Sequence, residues 1–104
     1  MAADRPRELR WTEHAVKQLA ALAEYISLDS PVYAEHVIDR LVRRLDQARR
    51  FPESGRTVPE YERDDLRELI EPPYRLIYRI RPQAIEILSV LHGRQRLDEL
   101  PRVE

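Results

Sequence analysis

The sequence predicts an α+β domain: an N-terminal strand and an antiparallel two-helix hairpin packed on a twisted, mainly antiparallel β-sheet. Two long stretches between residues 15 and 48 repeat apolar residues at three- and four-residue steps, the spacing of a helix face. Three short segments rich in β-branched and aromatic residues follow between residues 66 and 92, and proline or glycine punctuates the boundaries. With 104 residues and 42% apolar side chains, the chain is read as one domain, 1–104, with a core over about 8–96 and a tail over 97–104.

The first strand is expected at Glu8 to Trp11. Thr12 then stands where a helix N-cap belongs, with Glu13 favourably placed in the first turn. Ala15, Val16, Leu19, Leu22, Ala23 and Ile26 form one stripe of a helix that ends near Ser27. Asp29-Ser30-Pro31 stops that helix and starts another, because the polar residues can cap and proline is tolerated at the first helical position. The second helix runs from Pro31 to Arg50, with Ala34, Val37, Ile38, Leu41, Leu45 and Ala48 inside. Arg40, Arg43, Arg44, Arg49 and Arg50 crowd its second half, where the last of them complement the helix dipole. So short a link makes the pair an antiparallel hairpin.

Phe51-Pro52-Glu53-Ser54-Gly55-Arg56 breaks the helical pattern, and the acidic stretch to Asp65 reads as irregular. Extended segments are expected at Leu66 to Ile70, Tyr74 to Arg81 and Ile85 to His92, joined as a meander around Pro72-Pro73 and Pro82-Gln83. In the middle segment Tyr74, Leu76, Tyr78 and Ile80 alternate with Arg75, Ile77, Arg79 and Arg81, so one side should pack on helices and the other meet solvent or a partner. The third is aliphatic on both faces, Ile85, Ile87 and Leu91 against Leu88 and Val90, as a central strand would be. Leu97 and Leu100 could dock from the polar tail.

Charged residues make up 36% of the chain, yet the net charge is only −1, so nucleic-acid binding would need a local patch. Seventeen of the 18 basic residues are arginine and Lys17 is the sole lysine. Arginine stays protonated and is a poor general base. The absence of cysteine removes disulfides and thiolate chemistry and suits a reducing cytoplasm. No apolar run is long enough for a membrane span and the amino terminus lacks the apolar core of a signal peptide, so a soluble, cytoplasmic protein is expected. His14, His36 and His92 are too scattered for a metal motif, and two glycines build no phosphate-cradling loop, so neither metal nor cofactor is expected.

Taken in order, WTEHAVKQLAALAEYI, DSPVYAEHVIDRL, FPESGR, LRELIEPPYRLIYRI and IEILSVLHGRQR resemble the RelE/ParE toxin superfamily of type II toxin-antitoxin systems over nearly the whole chain. The resemblance implies a hairpin-on-sheet fold and neutralisation by a cognate antitoxin. Its branches differ in target. RelE-like members cut messenger RNA on the ribosome, which requires proton transfer and fixed positive charge around the phosphate. ParE-like members bind DNA gyrase and trap it on cut DNA, which requires no proton-transfer pair. DSPVYAEHVIDRL, FPESGR and LREL, with no lysine cluster, favour the ParE-like branch. A non-toxic remnant that only binds antitoxin is the third reading.

Candidate target- or phosphate-binding residues are Arg67, Arg75 and Arg79 on neighbouring strands, with Arg94 and Arg96 at the edge. Were the chain a nuclease, Arg67, Arg75 and His92 would be the catalytic candidates, His92 being the one sheet residue that titrates near neutrality by nature. The competing reading pairs these arginines with the acidic stretch Glu60 to Asp65.

Overall fold

The computed structural model describes residues 5–93. Strand β1 (Glu8–Trp11) leads into α1 (Glu13–Ser27) and α2 (Pro31–Arg50), followed by a single 3-10 turn over Pro52–Ser54. The sheet is completed by β2 (Arg56–Thr57), β3 (Leu66–Glu71), β4 (Tyr74–Ile80) and β5 (Ala84–His92). The expected α+β architecture is therefore present, with β2 as an added two-residue edge strand.

Capping explains both helix starts. The Thr12 hydroxyl accepts from the Ala15 amide at 3.1 Å, and the Ser30 hydroxyl accepts from the Tyr33 amide at the same distance. Pro31 occupies the first turn of α2, where its missing N–H costs nothing. Arg49 and Arg50 reach back to Asp46 in the last turn.

The strand order is β1-β5-β4-β3-β2. Three neighbouring pairs are antiparallel, whereas β1 runs parallel to β5, pairing Glu8 with Ala84 and Trp11 with Ile87. The first and last strands are thus adjacent, and β5 is an interior strand as its two apolar faces require.

Two apolar clusters sit on opposite faces of the sheet. Under the helices, Val37, Leu41, Leu45 and Ala48 of α2 meet Leu69, Leu76, Tyr78, Ile85, Ile87 and Val90, while Leu19, Leu22 and Ile26 of α1 pack against them half-buried. Val16, expected in the α1 stripe, is 49% exposed.

The sequence reading is corrected on the other face. It meets neither solvent nor a partner across its width, because the chain itself returns over it. Val58 and Tyr61 close on Leu66, Ile77, Leu88 and Leu91. The β5 faces also differ from simple alternation. The register jumps from Ile77 opposite Ser89 to Tyr78 opposite Ile87, so Leu88 is an extra residue on β5. Such a bulge reverses the parity beyond it. Val90 therefore joins Ile85 and Ile87 under the helices, and Leu91 joins Leu88 on the far face.

Helix α1 satisfies the backbone that the bulge releases from the ladder. The Gln18 carboxamide oxygen accepts from the Val90 amide at 2.7 Å and from the Ser89 hydroxyl at 3.0 Å. The Thr12 hydroxyl donates to the Leu88 carbonyl at 3.4 Å.

Candidate functional site

The far face of the sheet carries the densest group of charged side chains. In β3 the Glu68 backbone lies opposite Ile77, which turns its carboxylate toward the covered face. That carboxylate is wholly buried, and each oxygen takes a guanidinium: Arg75 Nε donates to one at 2.7 Å and Arg56 Nε to the other. The terminal nitrogens of Arg75 then clamp both oxygens of Glu60 at 3.0 and 2.9 Å. A planar fork meeting a carboxylate in this way gives strong, directional hydrogen bonds.

Next along β4, Arg79 Nε donates to Asp65 at 3.2 Å, and Asp65 also receives Arg63 at 2.9 and 2.6 Å. The side chains of Arg75 and Arg79 are only 10% and 13% exposed. Residues 58–65 are thereby held over the sheet by packing at Val58 and Tyr61 and by ion pairs at Glu60 and Asp65.

The electrostatics follow the contacts. Hydrogen bonds from Arg75 hold the Glu60 carboxyl below its ordinary range, and those from Arg63, with a smaller contribution from Arg79, do the same for Asp65. In return, the hydrogen bonds to Glu60 and Glu68 push the Arg75 guanidinium above its usual value, against the opposing effect of burial. It is a permanent cation bound to two permanent anions.

Arg67 is not part of this group. It lies opposite Tyr78, on the helix-facing side, and spends its donors on the carbonyls of Asp64 at 2.9 Å and Gly55 at 3.1 Å. His92 lies opposite Tyr74, also on the helix-facing side but at the far end of β4. Its ring stands edge-on to Tyr74, with centroids 6.0 Å apart and an interplanar angle of 82°. Tyr74 and Tyr78 are separated by four strand residues, roughly 13 Å at the usual rise. Arg67 and His92 are therefore held apart. Arg75 and His92 do both border a shallow cleft beside Pro72 and Pro73, approaching it from opposite faces of the sheet. Arg94 and Arg96 lie outside the described residues, as do Leu97 and Leu100.

Tyr78 organises the loop before β2. Its buried hydroxyl donates to the Pro52 carbonyl at 2.6 Å and accepts from the Gly55 amide at 3.1 Å. Burial raises its pKa. A methyl group on Gly55 would stand 2.5 Å from that hydroxyl and 2.7 Å from the Glu68 carbonyl, so glycine is needed for the close approach.

Sequence reasoning passed over Glu68 and Arg56 as partners of Arg75. The available signal was Glu68 itself, a charge between Leu66 and Ile70 on the alternation that faces Ile77 and Arg75 across the strand pair. It also passed over the hairpin tip, where Tyr25 is 75%, Leu28 83% and Tyr33 55% exposed. Among the described residues no three His, Cys, Asp or Glu side chains gather to hold a metal ion, and no helix is long and apolar enough to cross a membrane.

Comparison with known proteins places these features in context. The family model described as the ParE toxin of type II toxin-antitoxin system, parDE, matches residues 9–97. Y4kP of Sinorhizobium fredii, whose toxin designation is itself a prediction, is 34% identical over 86% of this chain and 92% of its own. Toxin RelE2 of Caulobacter vibrioides is 32% identical over 80% of this chain and 91% of its own. Among solved structures, a chain of the chromosomal ParDE system from P. aeruginosa superposes with a TM-score of 0.69 over 85% of this chain and 97% of its own. A chain of the RelBE2 toxin-antitoxin complex from Mycobacterium tuberculosis gives 0.60 over 84% and 91%; both are 24% identical and so speak to the fold alone.

Proposed function

The chain belongs to the ParE toxin family of type II toxin-antitoxin systems, and from that premise we propose that it arrests bacterial growth by binding DNA gyrase and is neutralised by a cognate antitoxin. It acts in the cytoplasm on this reading, where gyrase is found. The observation that carries it is the fate of Arg75 and Arg79. Both guanidinium groups of the sheet face are engaged by Glu60, Glu68 and Asp65. A cation already held by a buried carboxylate is a poor ligand for a transition-state phosphate, whose stabilisation depends on donors aimed at the developing charge. A binding toxin has no need of such donors.

Ribosome-dependent cleavage of mRNA is the second reading, favoured by the cleft that Arg75 and His92 share. It requires a proton acceptor and a proton donor on either side of one phosphate. Arg67 and His92, the remaining candidates, stand at opposite ends of β4.

The deciding experiment incubates purified protein with gyrase and relaxed or supercoiled plasmid, and in parallel with translating ribosomes. Loss of supercoiling with accumulated cleaved plasmid is expected. Unaffected gyrase together with cut ribosome-bound mRNA transfers the assignment to the second reading. Absence of growth arrest on expression without a partner leaves only antitoxin binding as the function.

A further inference from the structure

The two helices leave a trough open to solvent between them. Its floor is apolar and low, formed by Ala23 of α1 and by Ile38 and Val42 of α2, with Val42 42% exposed. Its rim carries Glu24, Glu35 and Asp39, which are the only ionisable groups lining it among the described residues. Asp39 forms an exposed ion pair with Arg43 at 3.0 Å, a contact that gives way easily. The carboxylates of Glu24 and Glu35 have no partner among the described residues.

We propose that this trough docks an amphipathic helix of a partner protein, apolar along one stripe and carrying lysine or arginine on its flanks. Three features select that occupant. The lining on α2 runs from Pro31 to Val42, roughly 18 Å of helix, which matches an occupant of about twelve residues. Alanine in the floor allows a third helix to approach to the usual interaxial separation of about 8–10 Å. A rim of carboxylates alone favours cations on the incoming flanks and opposes a second copy of this chain. A two-fold contact would set Glu35 and Asp39 against their own counterparts. In naming a partner protein, the proposal rests on the antitoxin reading above; in naming the surface and the chemistry that meets it, it goes further.

The test uses the full chain and its Glu24→Lys/Glu35→Lys variant. Both substitutions are on exposed positions, and matched melting curves establish that folding is intact. The probes are two labelled fourteen-residue helical peptides with the same leucine-alanine stripe, one flanked by lysine and one by glutamate. The lysine peptide is expected to bind more tightly, and the variant to lose that preference with an affinity about tenfold weaker, the difference shrinking as salt rises. Equal binding of the two peptides, or no binding, overturns the proposal.

The second arm co-expresses the chain with the protein encoded beside it. An affinity about tenfold lower for the variant, with a Glu53→Lys/Glu62→Lys control unchanged, supports the trough as the docking surface. A complex indifferent to Glu24 and Glu35 overturns the trough and leaves the antitoxin reading standing. Lysine-peptide binding without any such complex supports the trough and removes the antitoxin reading. A dimer of the free chain that is weakened by the variant overturns the choice of occupant.

Discussion

Arg75 grips Glu60 with both terminal nitrogens, at 3.0 and 2.9 Å, across fifteen residues of sequence. The same guanidinium donates through Nε to the wholly buried Glu68. One side chain therefore fixes both the sheet face and the segment that covers it. Arg75→Ala leaves a buried carboxylate short of a partner and should lower stability by about 3 kcal/mol or more, read from urea denaturation. A loss below about 0.5 kcal/mol, the level of an ordinary surface change, would show that the clamp is ornamental.

The same contacts set an acid response. Glu60 and Asp65 have folded pKa values below their unfolded ones, through Arg75 and Arg63 respectively. The unfolded chain therefore takes up protons first as the pH drops. Their contribution is fully present above about pH 5, the top of the ordinary carboxylate range, and is lost as pH falls through the folded values. Melting temperatures measured between neutrality and strong acid should decline along this limb. Glu60→Gln should flatten it, and an unchanged slope would exclude Glu60 as a source.

Tyr78 and Gly55 predict a matched pair of losses. Tyr78→Phe strips the partner from the Pro52 carbonyl and the Gly55 amide, which should cost about 1–3 kcal/mol. Gly55→Ala forces a methyl group against the same hydroxyl and should also destabilise. In Tyr78→Phe that clash loses its oxygen, so the double variant should fall short of the sum. Strict additivity in a double-mutant cycle would deny the coupling.

Thr12→Ala and Ser30→Ala each remove one N-cap hydrogen bond and should cost about 1 kcal/mol. Thr12→Ala should cost more, because its hydroxyl also donates to Leu88 at the bulge. Equal losses would mean that this second bond contributes nothing.

Activity should be insensitive to the imidazole of His92 if the toxin works by binding gyrase. His92→Gln is expected to keep its effect on plasmid supercoiling within about twofold, a difference of a few tenths of a kcal/mol. A loss of toxicity accompanied by lost mRNA cleavage would instead give His92 a chemical role.

The helices and the meander were legible because their signals are local. Thr12, Ser30 and Pro31 mark the helix starts by their own chemistry, and the alternation from Tyr74 to Ile80 fixes which side of β4 enters the helical core. The exchange of Val90 and Leu91 was not legible, since the bulge at Leu88 is accommodated by Gln18 and Thr12 from a distant helix. The environment of Arg75 and Arg79 was legible only as one of two alternatives. Which carboxylate each arginine meets depends on how residues 58–65 fold back, and that is decided by Val58 and Tyr61 packing on the far face. Arg67 was misplaced beside them because adjacency of strands does not guarantee a shared face.

The neighbourhood of β1 and β5 has a consequence for synthesis. β5 supplies Ile85 and Ile87 to one apolar layer and Leu88 and Leu91 to the other, and it is the strand to which β1 is zipped. Until the ribosome has made it, β1 lacks its ladder and neither layer is closed. Contacts so distant along the chain form late and slowly. A nascent toxin of this design stays inert until its final strand emerges, which gives its producer an interval in which the poison exists only as an unfinished polypeptide.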